Sequence, residues 1–257
     1  MKLNCDLGES FGIWQLGDDE AVMPFIDIAN IACGFHAADP ITMTHTVRLA
    51  QAHNVSIYAH PGYPDLQGFG RRSMSLSPDE ITALVLYQVG ALQAICHSEN
   101  TLVRGVKPHG ALYNDMLKDN RIFSAIVQAI SQLNASETAA TQPLTLVTFA
   151  GPDSAEHQAI ADKAGVPLSF ECFADRQYTS EGLLVSRRHP DAVITDDAIL
   201  LPRIQTLLEH KIFTDINGQP LPIKADTLCV HGDNPAAIAL TKKIRNLLNQ
   251  QNSNNAL

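Results

Sequence analysis

Acidic and histidine side chains recur in short polar clusters along the whole chain, most of them directly behind an apolar run. The clusters are NCDLGES (4–10), NIACGFHAAD (30–39), YAHPGYPDLQGFGRR (58–72), GVKPHGALYN (105–114) and VHGDNPAA (230–237). In a parallel (β/α) barrel every strand ends at one mouth, so residues distant in sequence converge there, where such folds place their active sites. The recurrence therefore predicts an enzyme with its site at a barrel mouth.

Asp6, Glu9, His36 and His60 carry groups suited to moving protons. Asp6 and Glu9 follow the first apolar run closely enough for both carboxylates to reach the mouth, where one can stay ionised while the pKa of the other is raised. His36 and His60 end the next two runs. With Asp6 they could also bind a divalent metal, although their spacing is not that of a short-range metal motif. Proton transfer, metal binding and a solvated turn capped by Glu9 all remain open.

The fragment Lys107-Pro108-His109-Gly110 places a lysine and a histidine at the end of another apolar run. A lysine in that position is costly to bury unless it neutralises an anion, and the glycine lets a ligand approach the backbone closely. A substrate carboxylate or phosphate is the expected partner of Lys107. The structural alternative is a surface lysine before a turn.

Charged residues also follow the sixth and seventh apolar runs. Arg176, next to Asp175, could bind an anion through both arms of its guanidinium group. Asp233 could orient His231, or it or the next residue could cap the following helix. Arg71, behind the glycines of GFG, predicts an anion-facing loop. The chain contains neither a nucleotide P-loop motif nor the G-x-S-x-G motif of a serine hydrolase.

Seven apolar runs of strand length and six helical segments must position these groups. The predicted strands are Lys2–Cys5, Ile26–Cys33, Val55–Ala59, Leu102–Val106, Leu144–Ala150, Leu168–Cys172 and Thr227–Val230. The predicted helices are 40–53, 78–97, 119–133, 152–164, 198–211 and 235–250. The runs are continuous rather than alternating, which is typical of parallel strands covered on both faces. Because functional residues follow nearly every strand, the sequence favours a seven-stranded TIM-like (β/α) barrel over an open doubly wound sheet.

A chain of 257 residues is long enough for one undivided barrel. We expect a single domain over residues 1–250 and a frayed tail over 251–257. Two stretches interrupt the alternation of strands and helices. Residues 134–143 predict a surface loop, and residues 174–197 predict a small hairpin or a lid beside the mouth.

The composition narrows the classes of partner. A formal net charge of −9, from 18 Lys plus Arg against 27 Asp plus Glu, argues against a nucleic-acid or anionic-membrane partner. No signal-peptide region and no 18-residue apolar stretch is evident, so a cytoplasmic location is expected. The five cysteines form no C-x-x-C pair, and we expect them to be reduced and buried.

Taken together, the clusters resemble the LamB/YcsF family over residues 2–240. The resemblance rests on DLGE, NIACGFHA, AHPGYPD with FGRR, VKPHGALYN, FADRQY, LVSR and HGDNPAA, and several motifs in one order are more specific than any single one. It implies a barrel of the glycoside hydrolase/deacetylase type. It also implies ATP-dependent opening of 5-oxoproline to L-glutamate, in a complex with 5-oxoprolinase subunits B and C.

The resemblance also implies roles for individual residues. The expected catalytic residues are Asp6, Glu9, His36, His60, His109, His231 and Asp233. The expected substrate-binding residues are Asn30, Arg71, Lys107, Asp175 and Arg176. ATP with Mg²⁺ would be consumed by the complex, and the missing phosphate-binding loop places the expected nucleotide site on partner subunits. Two alternatives stay open: a stand-alone metal-dependent deacetylase or amide hydrolase, and a non-catalytic subunit that binds a lactam or a sugar.

Overall fold

The structure is a computed structural model that describes residues 1–135, 142–186 and 188–254, with side chains as far as residue 251. Most of the loop predicted over residues 134–143 therefore lies outside the described residues. The described part contains nine strands: β1 Lys2–Leu7, β2 Ile28–Ala32, β3 Ser56–His60, β4 Val103–Val106, β5 Thr145–Phe149, β6 Leu168–Phe173, β7 Ile212–Thr214, β8 Pro220–Pro222 and β9 Thr227–Val230.

Seven of these strands close into a parallel barrel in the order β1-β2-β3-β4-β5-β6-β9. Closure is made by β9, whose Thr227 is in register with Lys2 of β1 and with Glu171 of β6. A closed barrel leaves no strand edge unpaired. The predicted seven-stranded TIM-like barrel is confirmed, with strand ends displaced by at most two residues.

Helices alternate with the barrel strands and cover their outer faces. The described residues contain α1 Asp19–Val22, α2 Pro40–Ala52, α3 Pro78–Ser98, α4 Gly110–Met116, α5 Asn120–Asn134, α6 Ser154–Lys163, α7 Asp197–His210 and α8 Pro235–Asn254. All six predicted helices are present, and the short α1 and α4 were not predicted. A capping box begins α3: the Ser77 side chain accepts from the backbone N–H of Glu80, while the Glu80 carboxylate accepts from the backbone N–H of Ser77.

Helix α3 corrects one expectation about apolar segments. By length and composition it is apolar enough to cross a membrane, with a mean hydropathy of 1.3, so the expectation of no such stretch is wrong. The helix packs against α5 and against β3 and β4, and it buries Ile81, Val85 and Leu92. A helix that covers the core of a folded protein passes the same composition test, which makes this weak evidence for a membrane.

The described residues 174–186 and 188–196 form a loop that folds back on itself through two isolated bridges, Arg176–Val193 and Tyr178–Leu184. The hairpin of the fold lies further along the chain, where β7 pairs with β8 in antiparallel register. The segment predicted as a hairpin or a lid thus doubles back through antiparallel bridges, without a strand of its own among the described residues. The five cysteines are free and buried, as expected, and α8 runs through Asn254, past the start of the predicted tail.

Candidate active site

The predicted functional residues converge at the carboxyl ends of the barrel strands, the opening that we call the mouth. Asp6 and Asn30 are in register on β1 and β2, and His60 is the last residue of β3. Lys107 directly follows β4. Asp6 thus lies within its strand rather than after it, which turns its carboxylate into the barrel beside Asn30.

Lys107 forms the floor of the mouth, where its side chain is only 4% exposed. Its ammonium Nζ lies 3.0 Å from Asp6 Oδ1, 3.0 Å from Glu171 Oε2 and 3.0 Å from Asn4 Oδ1. An ammonium group has three donors, and these oxygens account for them. Lys107 is therefore a buried ion-pair partner of two carboxylates rather than a surface lysine before a turn, and its binding of a substrate anion stays a prediction.

A layer of hydrogen-bonded polar side chains crosses the barrel interior below the mouth. Asn4 donates to Thr227 Oγ1 at 2.9 Å and to Glu171 Oε2 at 3.3 Å, and Asn30 donates to Asn4 Oδ1 at 2.9 Å. All four side chains are buried. Because buried polar groups are costly without partners, this layer fixes the position of the Lys107 ammonium group.

Asp6 is held by three partners and still faces the mouth, with its side chain 27% exposed. Its Oδ1 accepts from Asn30 Nδ2 at 2.9 Å and from Lys107 Nζ, while its Oδ2 lies 3.4 Å from His60 Nε2. Burial alone would raise the pKa of Asp6, but His60 and Lys107 outweigh it and hold the pKa well below its usual range. Asp6 is therefore ionised at neutral pH.

Three imidazoles and one carboxylate cluster above Asp6. The rings of His36 and His109 stack at 3.7 Å with an interplanar angle of 4°, and His109 Nδ1 lies 3.0 Å from His60 Nε2. Glu9 Oε1 lies 3.3 Å from His36 Nε2 and 3.5 Å from His109 Nδ1. The structure thus brings together four of the predicted catalytic residues.

The environment of this cluster shifts the pKa values of three of its members. Burial, with the neighbouring His109 and His60, lowers the pKa of His36 well below its usual range. Burial and His60 also lower the pKa of His109 to about 3. Burial and the charge of Asp6 raise the pKa of Glu9 to about 7. At neutral pH the stacked His36 and His109 rings are therefore neutral.

Glycines make room for the stacked imidazoles. A Cβ atom on Gly62 would lie 2.8 Å from His36 Nδ1, and one on Gly70 would lie 2.7 Å from His36 Cβ and 2.9 Å from His109 Cδ2. Gly70 also has a φ of +63°, in the left-handed region. The preceding Phe69, at a φ of 54°, turns its carbonyl toward His109 Nε2 at 2.8 Å.

Gly70→Ala is expected to destabilise the protein by more than Gly12→Ala. Gly12 is a matched control because its φ of +56° carries the same backbone strain while a Cβ there would meet nothing within 4 Å. A left-handed φ costs about 1–3 kcal/mol in a non-glycine residue, and only Gly70→Ala adds overlap with His36 and His109. Denaturant unfolding measures both variants, and equal losses would mean that the imidazole stack adapts freely.

The rim of the mouth carries the remaining predicted residues. His231 Nε2 lies 3.4 Å from Asp175 Oδ2. Burial would lower the pKa of His231, but its hydrogen bond with Asp175 and the charge of Asp175 raise it. The partner of His231 is therefore Asp175 rather than the expected Asp233, which is exposed and accepts from Asn234 Nδ2 at 3.0 Å. Asn234 itself accepts from the backbone of Ala237 at the start of α8.

Arg71 and Arg176 differ in how their guanidinium groups are used. Arg176 is buried and donates to the backbone oxygens of Val185 at 2.7 Å and Ala192 at 3.3 Å, so it ties down the 174–197 loop. Arg71 is exposed, with its guanidinium carbon 5.5 Å from the centre of the Phe69 ring. Whether either group binds a substrate anion stays a prediction.

Two adjoining cavities open at the mouth, of about 360 and 130 Å³. Both are lined by Asp6, Arg71, His109 and His231. The smaller cavity also reaches Lys107 at the floor. An ionised carboxylate, a neutral imidazole and the exposed guanidinium group of Arg71 thus face the same small space, an arrangement that can bind an anionic small molecule and transfer protons to or from it.

The fold and this mouth define a seven-stranded (β/α) barrel with clustered carboxylate and imidazole side chains at the carboxyl ends of its strands. The LamB/YcsF family model matches residues 1–256, so the chain belongs to the LamB/YcsF family.

Relatives of known name cover nearly the whole chain. A protein of Vibrio parahaemolyticus named as the A subunit of 5-oxoprolinase is 51% identical, over 96% of this chain and 95% of its own length. A protein of Pseudomonas fluorescens with the same name is 51% identical over 98% of each chain. The crystal structure of a lactam utilization protein from Thermus thermophilus superposes with a TM-score of 0.89 at 38% identity, covering 98% of this chain and 97% of that one.

Proposed function

We propose that this chain is the lactam-opening component of an ATP-dependent 5-oxoprolinase, which converts 5-oxoproline to L-glutamate. The observation that carries the proposal is the group formed by Asp6, the three clustered imidazoles and the cationic rim at one barrel mouth. It occurs in a chain about half identical, over nearly its full length, to proteins named as the A subunit of 5-oxoprolinase.

The proposed substrate offers two features for the mouth to recognise. It carries one carboxylate, and its reacting carbonyl is part of a five-membered amide ring. Ring opening joins a water oxygen to the carbonyl carbon and breaks the carbon–nitrogen bond, and the ring nitrogen takes a proton as it leaves. The site must therefore bind an anion, remove a proton from water and supply a proton to nitrogen.

The charges at the mouth match these three tasks. Asp6, which is ionised, accepts the proton of the attacking water. His231, whose pKa is raised by Asp175, supplies the proton to the leaving nitrogen. The exposed Arg71 binds the substrate carboxylate, because a guanidinium group pairs with a carboxylate through two parallel hydrogen bonds. Lys107 keeps Asp6 ionised.

Coupling to ATP is assigned to partner subunits. An amide carbonyl is a poor electrophile, and ring closure competes with hydrolysis, so phosphorylation of the amide oxygen by ATP, which releases ADP, makes opening favourable. Water addition and cleavage of the carbon–nitrogen bond then leave an acyl phosphate, and its hydrolysis by a second water releases inorganic phosphate and L-glutamate. The chain has no phosphate-binding glycine loop. The relatives are each named as one subunit of an enzyme, which implies further subunits. We propose that these are subunits B and C, that they bind ATP with Mg²⁺, and that the complex works in the cytoplasm.

The isolated chain is expected neither to bind ATP tightly nor to release glutamate from 5-oxoproline. Calorimetry with ATP and Mg²⁺ on the chain alone, and then on the chain with subunits B and C, measures the first property. A glutamate-release assay with each protein withheld in turn measures the second. Micromolar ATP binding by the isolated chain, or glutamate release without partners, would contradict this division of labour and favour a self-sufficient amide hydrolase.

A further inference from the structure

Four side chains turn nitrogen and oxygen atoms toward one point at the mouth: Glu9, His36, His60 and His109. One potential ligand atom of each lies within 4.8 Å of the other three. We propose that these four residues bind a single divalent transition-metal ion, with Zn²⁺ as a suitable probe. The metal ligands suggested by the sequence were Asp6, His36 and His60.

Hydrogen bonds to the backbone fix which ring nitrogens carry protons. His60 Nδ1 lies 2.6 Å from the carbonyl oxygen of Lys107, and His109 Nε2 lies 2.8 Å from that of Phe69. A carbonyl oxygen only accepts, so each of these nitrogens must donate. A neutral imidazole has a single N–H, so the neutral forms of these two rings would carry their lone pairs on His60 Nε2 and His109 Nδ1.

These two lone-pair nitrogens face each other at 3.0 Å. Two acceptors at that distance repel unless a positive charge lies between or beside them. Carboxylate oxygens crowd the same point, with Asp6 Oδ2 3.4 Å from His60 Nε2 and Glu9 Oε1 3.5 Å from His109 Nδ1. The charge of Asp6 is already paired with Lys107 at 3.0 Å. The nitrogens and Glu9 therefore require a cation of their own, either an extra proton or a metal ion.

The separations favour a metal ion. Ligand atoms about 2.1 Å from one Zn²⁺ lie about 3.4 Å apart at the corners of a tetrahedron. The measured separations are 3.0 Å between His60 and His109, 3.3 Å between His36 and Glu9, and 3.5 Å between His109 and Glu9. A proton shared by His60 and His109 would account for the first pair and the N–H of a neutral His36 for the second, whereas one metal ion accounts for all three.

The surroundings also fit a metal site. Histidines that bind metals almost always donate their other ring N–H to a carbonyl or a carboxylate, which fixes the ring. His60 and His109 both do so through Lys107 and Phe69. Three nitrogens and one carboxylate suit zinc and similar first-row metals, whereas magnesium prefers oxygen ligands. The proposed ion is therefore distinct from the Mg²⁺ that accompanies ATP.

The test uses the full chain alone, so its outcome does not depend on the proposed function. Chelator-treated protein is titrated with ZnCl₂ by calorimetry, and bound metal is counted by mass spectrometry under native conditions. We expect one Zn²⁺ per chain, together with a rise in melting temperature, since a ligand that binds only the folded state stabilises it. The absence of stoichiometric binding and of the thermal shift would overturn the proposal in favour of a shared proton.

Matched variants locate the ion. His109→Ala and Glu9→Gln are each expected to weaken Zn²⁺ binding at least about 100-fold, beyond the 10- to 100-fold typical of residues that only support a ligand. His231→Ala is the control, because it removes an imidazole from the same mouth outside the set of four. Circular dichroism confirms folding, and the thermal shift of the wild-type chain remains a test if a variant fails to fold. Equal weakening by His231→Ala, or none by either ligand variant, would contradict the assignment.

Discussion

Asp6→Asn is expected to lower the kcat of the assembled enzyme by about 100- to 10,000-fold, the range for loss of a general base. The amide keeps the size of the carboxylate and an oxygen that accepts from Asn30 and Lys107, so the barrel should stay folded. It cannot accept the proton of an attacking water. Steady-state kinetics of the complex with subunits B and C, with circular dichroism as the check on folding, measures the effect.

Asp233→Asn is the matched comparison for Asp6→Asn. It makes the same chemical change at the same mouth, in an exposed carboxylate whose hydrogen bond is with Asn234. The sequence predicted a catalytic role for both carboxylates, while the geometry favours Asp6. A wild-type kcat in Asp6→Asn would reject its role as the base, and an equal loss in both variants would mean that Asp233 works beside it.

The sequence was sufficient to predict the barrel and most of the mouth. Each strand is an apolar run that ends in a glycine, a proline or a charged residue, and parallel strands of a barrel bring those ends together. His36, His60 and His109 could be assigned to the mouth because each follows a strand in such a motif. The remaining polar residues of the mouth were expected from the motifs that resemble the LamB/YcsF family, whose model matches residues 1–256.

The polar layer inside the barrel could not be predicted in the same way. Asn4 and Glu171 both lie within predicted strands, and neither was among the expected site residues. Side chains two apart on a strand share one face, so the pair Asn4 and Asp6 was the available signal. Their partners come from β6 and β9, and the residues in register across a barrel follow from its closure rather than from any local pattern.

The metal-type cluster shows a second limit of sequence reasoning. Asp6, His36 and His60 were grouped because their strands are neighbours, but the glycine-rich loop around Gly70 decides which atoms meet. Its left-handed φ and its closeness to His36 and His109 allow the two rings to stack. Spacing alone does not show which backbone carbonyls will orient His60 and His109. The sequence therefore grouped Asp6 with the histidines, whereas the proposed metal ligands include Glu9 and His109.

Lys107→Met is expected to destabilise the protein by about 3–5 kcal/mol, the usual cost of removing one partner of a buried ion pair. The variant keeps the volume of the side chain but leaves Asp6 and Glu171 without the ammonium group. Denaturant unfolding measures the change. Lys118→Met is the control because Lys118 is exposed, and a loss no larger than that of the control would mean that the ion pairs of Lys107 do not stabilise the fold.

The pH dependence of the stability lost in Lys107→Met shows whether Lys107 stabilises the fold through its ion pairs or through the packing of its side chain. The pKa of Asp6 is lowered in the folded state, so its contribution to stability is present above its unfolded value, about 3.9, and is lost as pH falls through the folded value. The pKa of Lys107 is raised by its carboxylate partners despite burial, so its contribution is present below about 10.4 and is lost as pH rises through the folded value. The stability difference between the wild type and Lys107→Met should therefore be largest between about pH 4 and pH 10. A difference that is constant with pH would indicate lost packing instead, because the packing of a methylene stem does not titrate.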